Sequence, residues 1–97
     1  MCKCGNTVPL SLPVPAHVSR TGEFRWDIKD IDSCIAHIVR ALNDAGVYTI
    51  ASCCGHGKRP ANIALVDGRE IVIMPDHETA RQADSFLNQL GFKGICE

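Results

Sequence analysis

Apolar residues recur along this chain at two different periods, and the switch between them outlines the fold. Ile31, Cys34, Ile35, Ile38, Val39 and Leu42 follow the i, i+3, i+4, i+7 spacing of an amphipathic helix. Asp30 stands where an N-cap would, and Gly46 where a C′ residue would, so the pattern predicts a helix over 31–45. Val47-Tyr48-Thr49-Ile50-Ala51 is β-branched and aromatic and predicts a strand. Two further apolar runs, 62–66 and 69–74, flank Asp67-Gly68, the preferred centre of a two-residue type I′ hairpin turn. Pro75-Asp76 then stops the strand and caps a helix with Ala80, Ala83, Leu87 and Leu90 on one face, closed by a Schellman stop at Gly91-Phe92.

The first 29 residues have a different texture. Three of the five prolines fall in Val8-Pro9-Leu10-Ser11-Leu12-Pro13-Val14-Pro15, which excludes a helix there and predicts an extended arm. Thr21-Gly22 reads as a turn, and Phe24, Trp26 and Ile28 alternate with Arg25 and Asp27 as an edge strand would, apolar side inward. The expected fold is α+β. A small, mainly antiparallel sheet carries two covering helices, with a proline-rich N-terminal arm (1–29) joined to an α-β-β-β-α core (30–97) in a single domain.

Composition narrows the class. Ninety-seven residues bury only about 60–65% of the unfolded surface, so the thin core is expected to be supplemented by a metal, by disulfides or by a partner subunit in a homo-oligomer. Ten Lys plus Arg against eleven Asp plus Glu leave a net charge of −1, which argues against a stable complex with nucleic acid. No apolar run approaches the ~20 residues of a membrane span, and the amino terminus lacks the apolar region of a secretory signal. A cytoplasmic protein is therefore expected, and its six cysteines read as thiols or metal ligands rather than a disulfide scaffold.

Most of the candidate chemistry lies in Ser52-Cys53-Cys54-Gly55-His56-Gly57-Lys58-Arg59. Gly55 and Gly57 free the backbone to approach a ligand, and successive N–H groups in such a turn can cradle an anion. Lys58 and Arg59 add positive charge, and no carboxylate occurs in sequence between Asp44 and Asp67. Ser52, Cys53, Cys54, Gly55, Gly57, Lys58 and Arg59 are thus candidate contacts to a phosphate, joined by Arg69 if the hairpin folds beside the loop. His56 is the candidate general acid or base.

The sulfurs admit other chemistries. Zinc takes four Cys or His ligands, and Cys2, Cys4, Cys54 (or Cys53) and His56 could supply them if the arm folds back. A cysteine beside basic groups could instead act as a nucleophile, or the 53–54 pair could form a strained vicinal disulfide. Cys34 reads as core packing. His37 and His77 read as a partly buried packing residue and an exposed helix-start residue, and Trp26, Phe24 and Tyr48 as core before they are stacking platforms.

The stretches Cys34-Ile35-Ala36, Ala41 to Gly46, Ala51 to Lys58 and Asp67-Gly68-Arg69 resemble a group of small, mostly uncharacterised proteins of phages and their bacterial hosts. The resemblance spans about residues 31–80. The Ser-Cys turn is also similar to that of the wybutosine-synthesis methyltransferase-like domain, but a cysteine replaces its second serine and its arginine is missing, so that activity does not carry over. The phage setting implies action in the host cytoplasm on immune signals. The function expected on this basis is binding of a phosphate-bearing nucleotide, such as a cyclic dinucleotide or ADP-ribose derivative. The protein would sequester it or, as a hydrolase using His56, cleave its phosphodiester. The alternative is a zinc-stabilised protein-interaction module without catalysis.

Overall fold

A computed structural model describes residues 5–92. Five strands and two α-helices follow one another as β1 (Thr7–Val14), β2 (Arg25–Asp32), α1 (Ala36–Asp44), β3 (Thr49–Cys53), β4 (Ala61–Leu65), β5 (Glu70–Ile73) and α2 (His77–Gln89). The class is α+β, as expected. The strands form two antiparallel sheets, a β1–β2 ribbon and a three-stranded sheet in the order β3-β4-β5. The proline arm is the first strand of the ribbon, where its extended backbone suits strand geometry.

Leu12, Ile31, Ile35, Ala36, Val39, Cys54, Ala61, Ile63 and Leu65 make the buried core, where α1 lies between β1 and β3. Beside it Asn43 crosses from helix to strand. Its Nδ2 donates to the Val39 carbonyl (2.8 Å) and Thr49 Oγ1 (3.0 Å), and its Oδ1 accepts from the Thr49 N–H (3.2 Å). Asn43 and Thr49 are both buried, so this polar pair is satisfied within the core.

Three expectations shift. β2 runs on to Asp32, so Asp30 lies in a strand and caps nothing, and α1 starts at Ala36 behind Ile35, which offers no side-chain cap. Ile31 had matched the helical spacing by coincidence. Second, Phe24, Trp26 and Ile28 face outward (52%, 61% and 76% exposed), with Phe24 and Trp26 in an edge-to-face contact at 5.8 Å. The cause is register: Leu12 pairs with Asp27, Leu10 with Lys29 and Val8 with Ile31. Directly paired residues share a face, so burying Leu12 and Ile31 turns the aromatic set outward. Third, the hairpin turn is not type I′. Among the described non-glycine residues only His56 has positive φ, so Asp67 does not, whereas Gly68 lies at +93°. The Gly68 N–H donates to the Leu65 carbonyl and the Leu65 N–H to the Arg69 carbonyl, which is a type I turn followed by a glycine bulge.

Both helix ends read from sequence hold. α1 ends with Gly46 at φ +85° and the Val47 N–H donating to the Leu42 carbonyl, and α2 with Gly91 at +97° and the Phe92 N–H donating to the Leu87 carbonyl. Asp76 caps α2 by accepting the Thr79 N–H at 2.7 Å. α2 nevertheless buries none of its residues, and its apolar face is exposed. No helix among the described residues is long and apolar enough to cross a membrane.

This core places most stability in a few side chains. Ile63 is fully buried, so Ile63→Ala should cost about 3 kcal/mol in urea unfolding, whereas Ile28→Ala should stay within about 0.5 kcal/mol.

Candidate functional site: an Asp-Cys-His cluster at the β3–β4 loop

Strand alternation separates the two adjacent cysteines. Cys53, paired with Asn62, shares the outer face of the three-stranded sheet, and Cys54 turns into the core at 3% exposed. No disulfide joins them. Beyond Cys54 the chain enters a left-handed turn, with φ +81° at Gly55, +52° at His56 and +77° at Gly57, closed by the Lys58 N–H on the Gly55 carbonyl at 2.9 Å. Glycine is required at 55 on two counts. Its φ is positive, and an added Cβ would lie 3.1 Å from the Pro60 carbonyl oxygen. His56 has no such licence, and a left-handed histidine costs about 1 kcal/mol.

That conformation folds His56 back on its neighbour. Its Nδ1 lies 3.5 Å from Cys54 Sγ, and its N–H donates to the same sulfur at 3.4 Å. Asp32, at the end of β2, accepts the Cys54 N–H on Oδ2 at 2.8 Å. Ligand atoms of Asp32, Cys54 and His56 all lie within 4.8 Å of one another, a group able to hold a metal ion. Cys53 has its own surroundings. The Gly55 N–H, donated to its sulfur at 3.4 Å, and then the Arg59 side chain hold its thiol below the usual cysteine range, with His56 and Arg59 charge adding to the effect.

The loop was expected to present bare N–H groups and a wholly positive field. Instead the N–H groups of Cys54, Gly55, His56 and Lys58 are spent on Asp32, Cys53 Sγ, Cys54 Sγ and the Gly55 carbonyl. Asp32 also places a carboxylate against the loop from 22 residues away in sequence. Nothing in the local pattern marked Asp32, because its role comes from β2 ending beside β3.

The remaining candidates divide. Lys58 and Arg59 are exposed on the loop, and Ser52 Oγ is buried without a hydrogen-bond partner. Arg69 lies away from the loop, at the far end of β4, because the hairpin and the loop terminate opposite ends of that strand. There Asp67 holds it by its Nε (2.8 Å) and Nη2 (2.6 Å), so it serves the turn. Of the sequence-derived zinc ligands, Cys54 and His56 are together, while Cys2 and Cys4 lie outside the described residues, as does Cys96. An apolar groove of about 240 Å³ adjoins Cys54, walled by Cys34, Ile35, Ile38, Ala61, Ile73 and Met74.

No family model matches this chain, and no curated protein or solved structure matches it significantly.

The turn geometry is testable by itself. Gly22 also has positive φ (+76°) but open space where a Cβ would go. Gly22→Ala should cost about 1 kcal/mol and Gly55→Ala about 1–2 kcal/mol more, measured by denaturant unfolding.

Proposed function

We propose that the protein is a zinc-binding module whose ion is held by Asp32, Cys54 and His56. The observation that carries this reading is the convergence of those three donors within 4.8 Å. Thiolate, imidazole and carboxylate are all donors that zinc accepts, and zinc tolerates the mixed set better than the hard cations, which prefer oxygen alone. The His56 N–H donates to Cys54 Sγ, and the Cys54 N–H on Asp32 orients the carboxylate. When bound, zinc would supply a Lewis-acidic positive centre between β2 and the β3–β4 loop.

We further propose that this centre receives a phosphate-bearing nucleotide. The groove beside Cys54 offers an apolar wall for a base, and Lys58 an exposed cation for a phosphate. Because the loop's N–H groups are mostly engaged within the chain, anion recognition falls to side chains rather than to a backbone cradle. His56 committed to a metal cannot also shuttle protons, which favours sequestration of the nucleotide over its hydrolysis. A second reading, a closed structural zinc clip within an interaction module, is favoured by the burial of Cys54. In that reading Cys2 or Cys4 completes the tetrahedron.

Native mass spectrometry of protein purified without chelator should find about one zinc per chain. Asp32→Ala, Cys54→Ser and His56→Ala should each lose the ion and lower the melting temperature, while Cys53→Ser keeps it. Loss of zinc from Cys53→Ser with retention in Cys54→Ser would contradict the assignment. Calorimetric titration with cyclic dinucleotides and ADP-ribose derivatives separates the two readings. Sequestration predicts binding that Lys58→Ala weakens about tenfold, with intact ligand recovered. The clip predicts no binding, and zinc loss on Cys2→Ser or Cys4→Ser.

A further inference from the structure

The inward face of β2 carries charges where a core would want apolar side chains. Strand alternation turns Arg25, Asp27 and Lys29 toward the interior, each only partly exposed, while Trp26 and Ile28 of the same strand stand in water. A half-buried antiparallel strand normally shows the reverse order, apolar side inward. Departures of this kind concentrate at functional sites.

The three charged side chains line a cavity of about 150 Å³ where β2 passes β3. Pro13, Val14 and Pro15 wall it from the ribbon, and Thr49 and Ile50, at the start of β3, wall it from the other sheet. Arg20, from the segment joining β1 to β2, adds a third cation. Among the described lining residues Asp27 is the only acid, and its Oδ2 lies 3.2 Å from Arg25 Nη2. Arg25 Nε is buried and has no hydrogen-bond partner among the described residues. A buried guanidinium N–H without an acceptor is costly, and an oxyanion supplies one in the geometry that the planar fork favours. We propose that this cavity is a binding site for a phosphate group, carried by Arg20, Arg25 and Lys29.

Charge and size select the ligand class. Three cations less one carboxylate leave the lining at +2, which matches a phosphate dianion better than a monocarboxylate. A cavity of about 150 Å³ admits a phosphate group and few further atoms, whereas a whole nucleotide needs the ~300 Å³ or more of an ordinary ligand pocket. The ligand is therefore inorganic phosphate or a small phosphomonoester. Its site is separate from the metal centre. Arg25 and Asp32 stand at opposite ends of β2, about 23 Å apart along an extended strand, and Thr49 and Cys53 stand likewise at the two ends of β3. The seam between the sheets is held by the Asp32–Cys54 bond at one end and lined by cations at the other, so binding here does not require the metal.

Amide-resolved NMR titration of the isotope-labelled full chain tests the inference, with inorganic phosphate, glycerol 3-phosphate and acetate added at constant ionic strength. Phosphate should bind with a dissociation constant below about 1 mM and shift the amides around Arg25, Lys29 and Ile50, and acetate should bind at least about tenfold more weakly. Tighter binding of glycerol 3-phosphate than of the free ion identifies the ligand as an ester, and the reverse identifies it as inorganic phosphate. Arg25→Gln and Lys29→Gln should each weaken phosphate binding about tenfold while keeping the dispersed spectrum of a folded chain, and Lys29→Gln decides the matter where Arg25→Gln fails to fold. Failure of both phosphates to saturate the protein at about 10 mM would overturn the inference. So would shifts confined to residues 53–59, acetate binding as tightly as phosphate, or affinity unchanged in the folded variants.

Discussion

The hydrogen bond from the Cys54 N–H to the Asp32 carboxylate, 2.8 Å long, joins parts of the chain that no shared strand connects. Asp32 closes the β1–β2 ribbon, and Cys54 opens the loop of the separate three-stranded sheet. A hydrogen bond to a charged acceptor is worth about 1.5–3 kcal/mol, and breaking it would leave a part-buried N–H unpaired as well. The bond also determines where the carboxylate sits. Only with β2 extended to residue 32 does Asp32 reach Cys54 and His56, so the same contact that links the sheets assembles the candidate metal centre.

The left-handed turn completes that centre at a local cost. His56 occupies a backbone conformation that most residues avoid, and the two flanking glycines keep the excursion to a single turn. In return its ring and its N–H both reach Cys54 Sγ. A turn made only to connect β3 and β4 would do better with glycine or asparagine at 56. Strain held by a side chain that then lies against a thiol and near a carboxylate is the pattern expected of a site rather than of a connection. The small core fits the same logic. Among the described residues nine buried apolar side chains hold two sheets and a helix, and a bound ion between β2 and the loop would add folding energy where the packing is thin.

Local signals were legible in the sequence, and those set at long range were not. Helix stops at Gly46 and Gly91, the Asp76 cap, the order of β3, β4 and β5, and the closeness of Cys54 to His56 depend on neighbours within a few residues. The outward turn of Phe24, Trp26 and Ile28 could not be read from β2 alone. Their alternation is compatible with either face, and pairing with Leu12 and Val8 decides which. Asp30 looked like a cap because Ile31 matched the helical period, but pairing with β1 carries the strand through that point. Asp32 was invisible for the same reason, since its partner Cys54 is 22 residues away. The two cysteines were adjacent letters with interchangeable roles until the pleat sent them to opposite faces.

Cobalt(II) titration followed by visible absorption tests the central claim most directly, because cobalt occupies zinc sites and reports bound thiolate by sulfur-to-metal charge transfer. Wild-type protein should develop that band together with the intense d–d absorption of tetrahedral cobalt, saturating at about one equivalent. Cys54→Ser should lose the contribution of this thiolate and bind at least tenfold more weakly, Asp32→Ala should weaken binding comparably, and Cys53→Ser should titrate like wild type. A spectrum unchanged by Cys54→Ser and Asp32→Ala, or absent from the wild type, would contradict the assignment of Asp32, Cys54 and His56 as a metal centre.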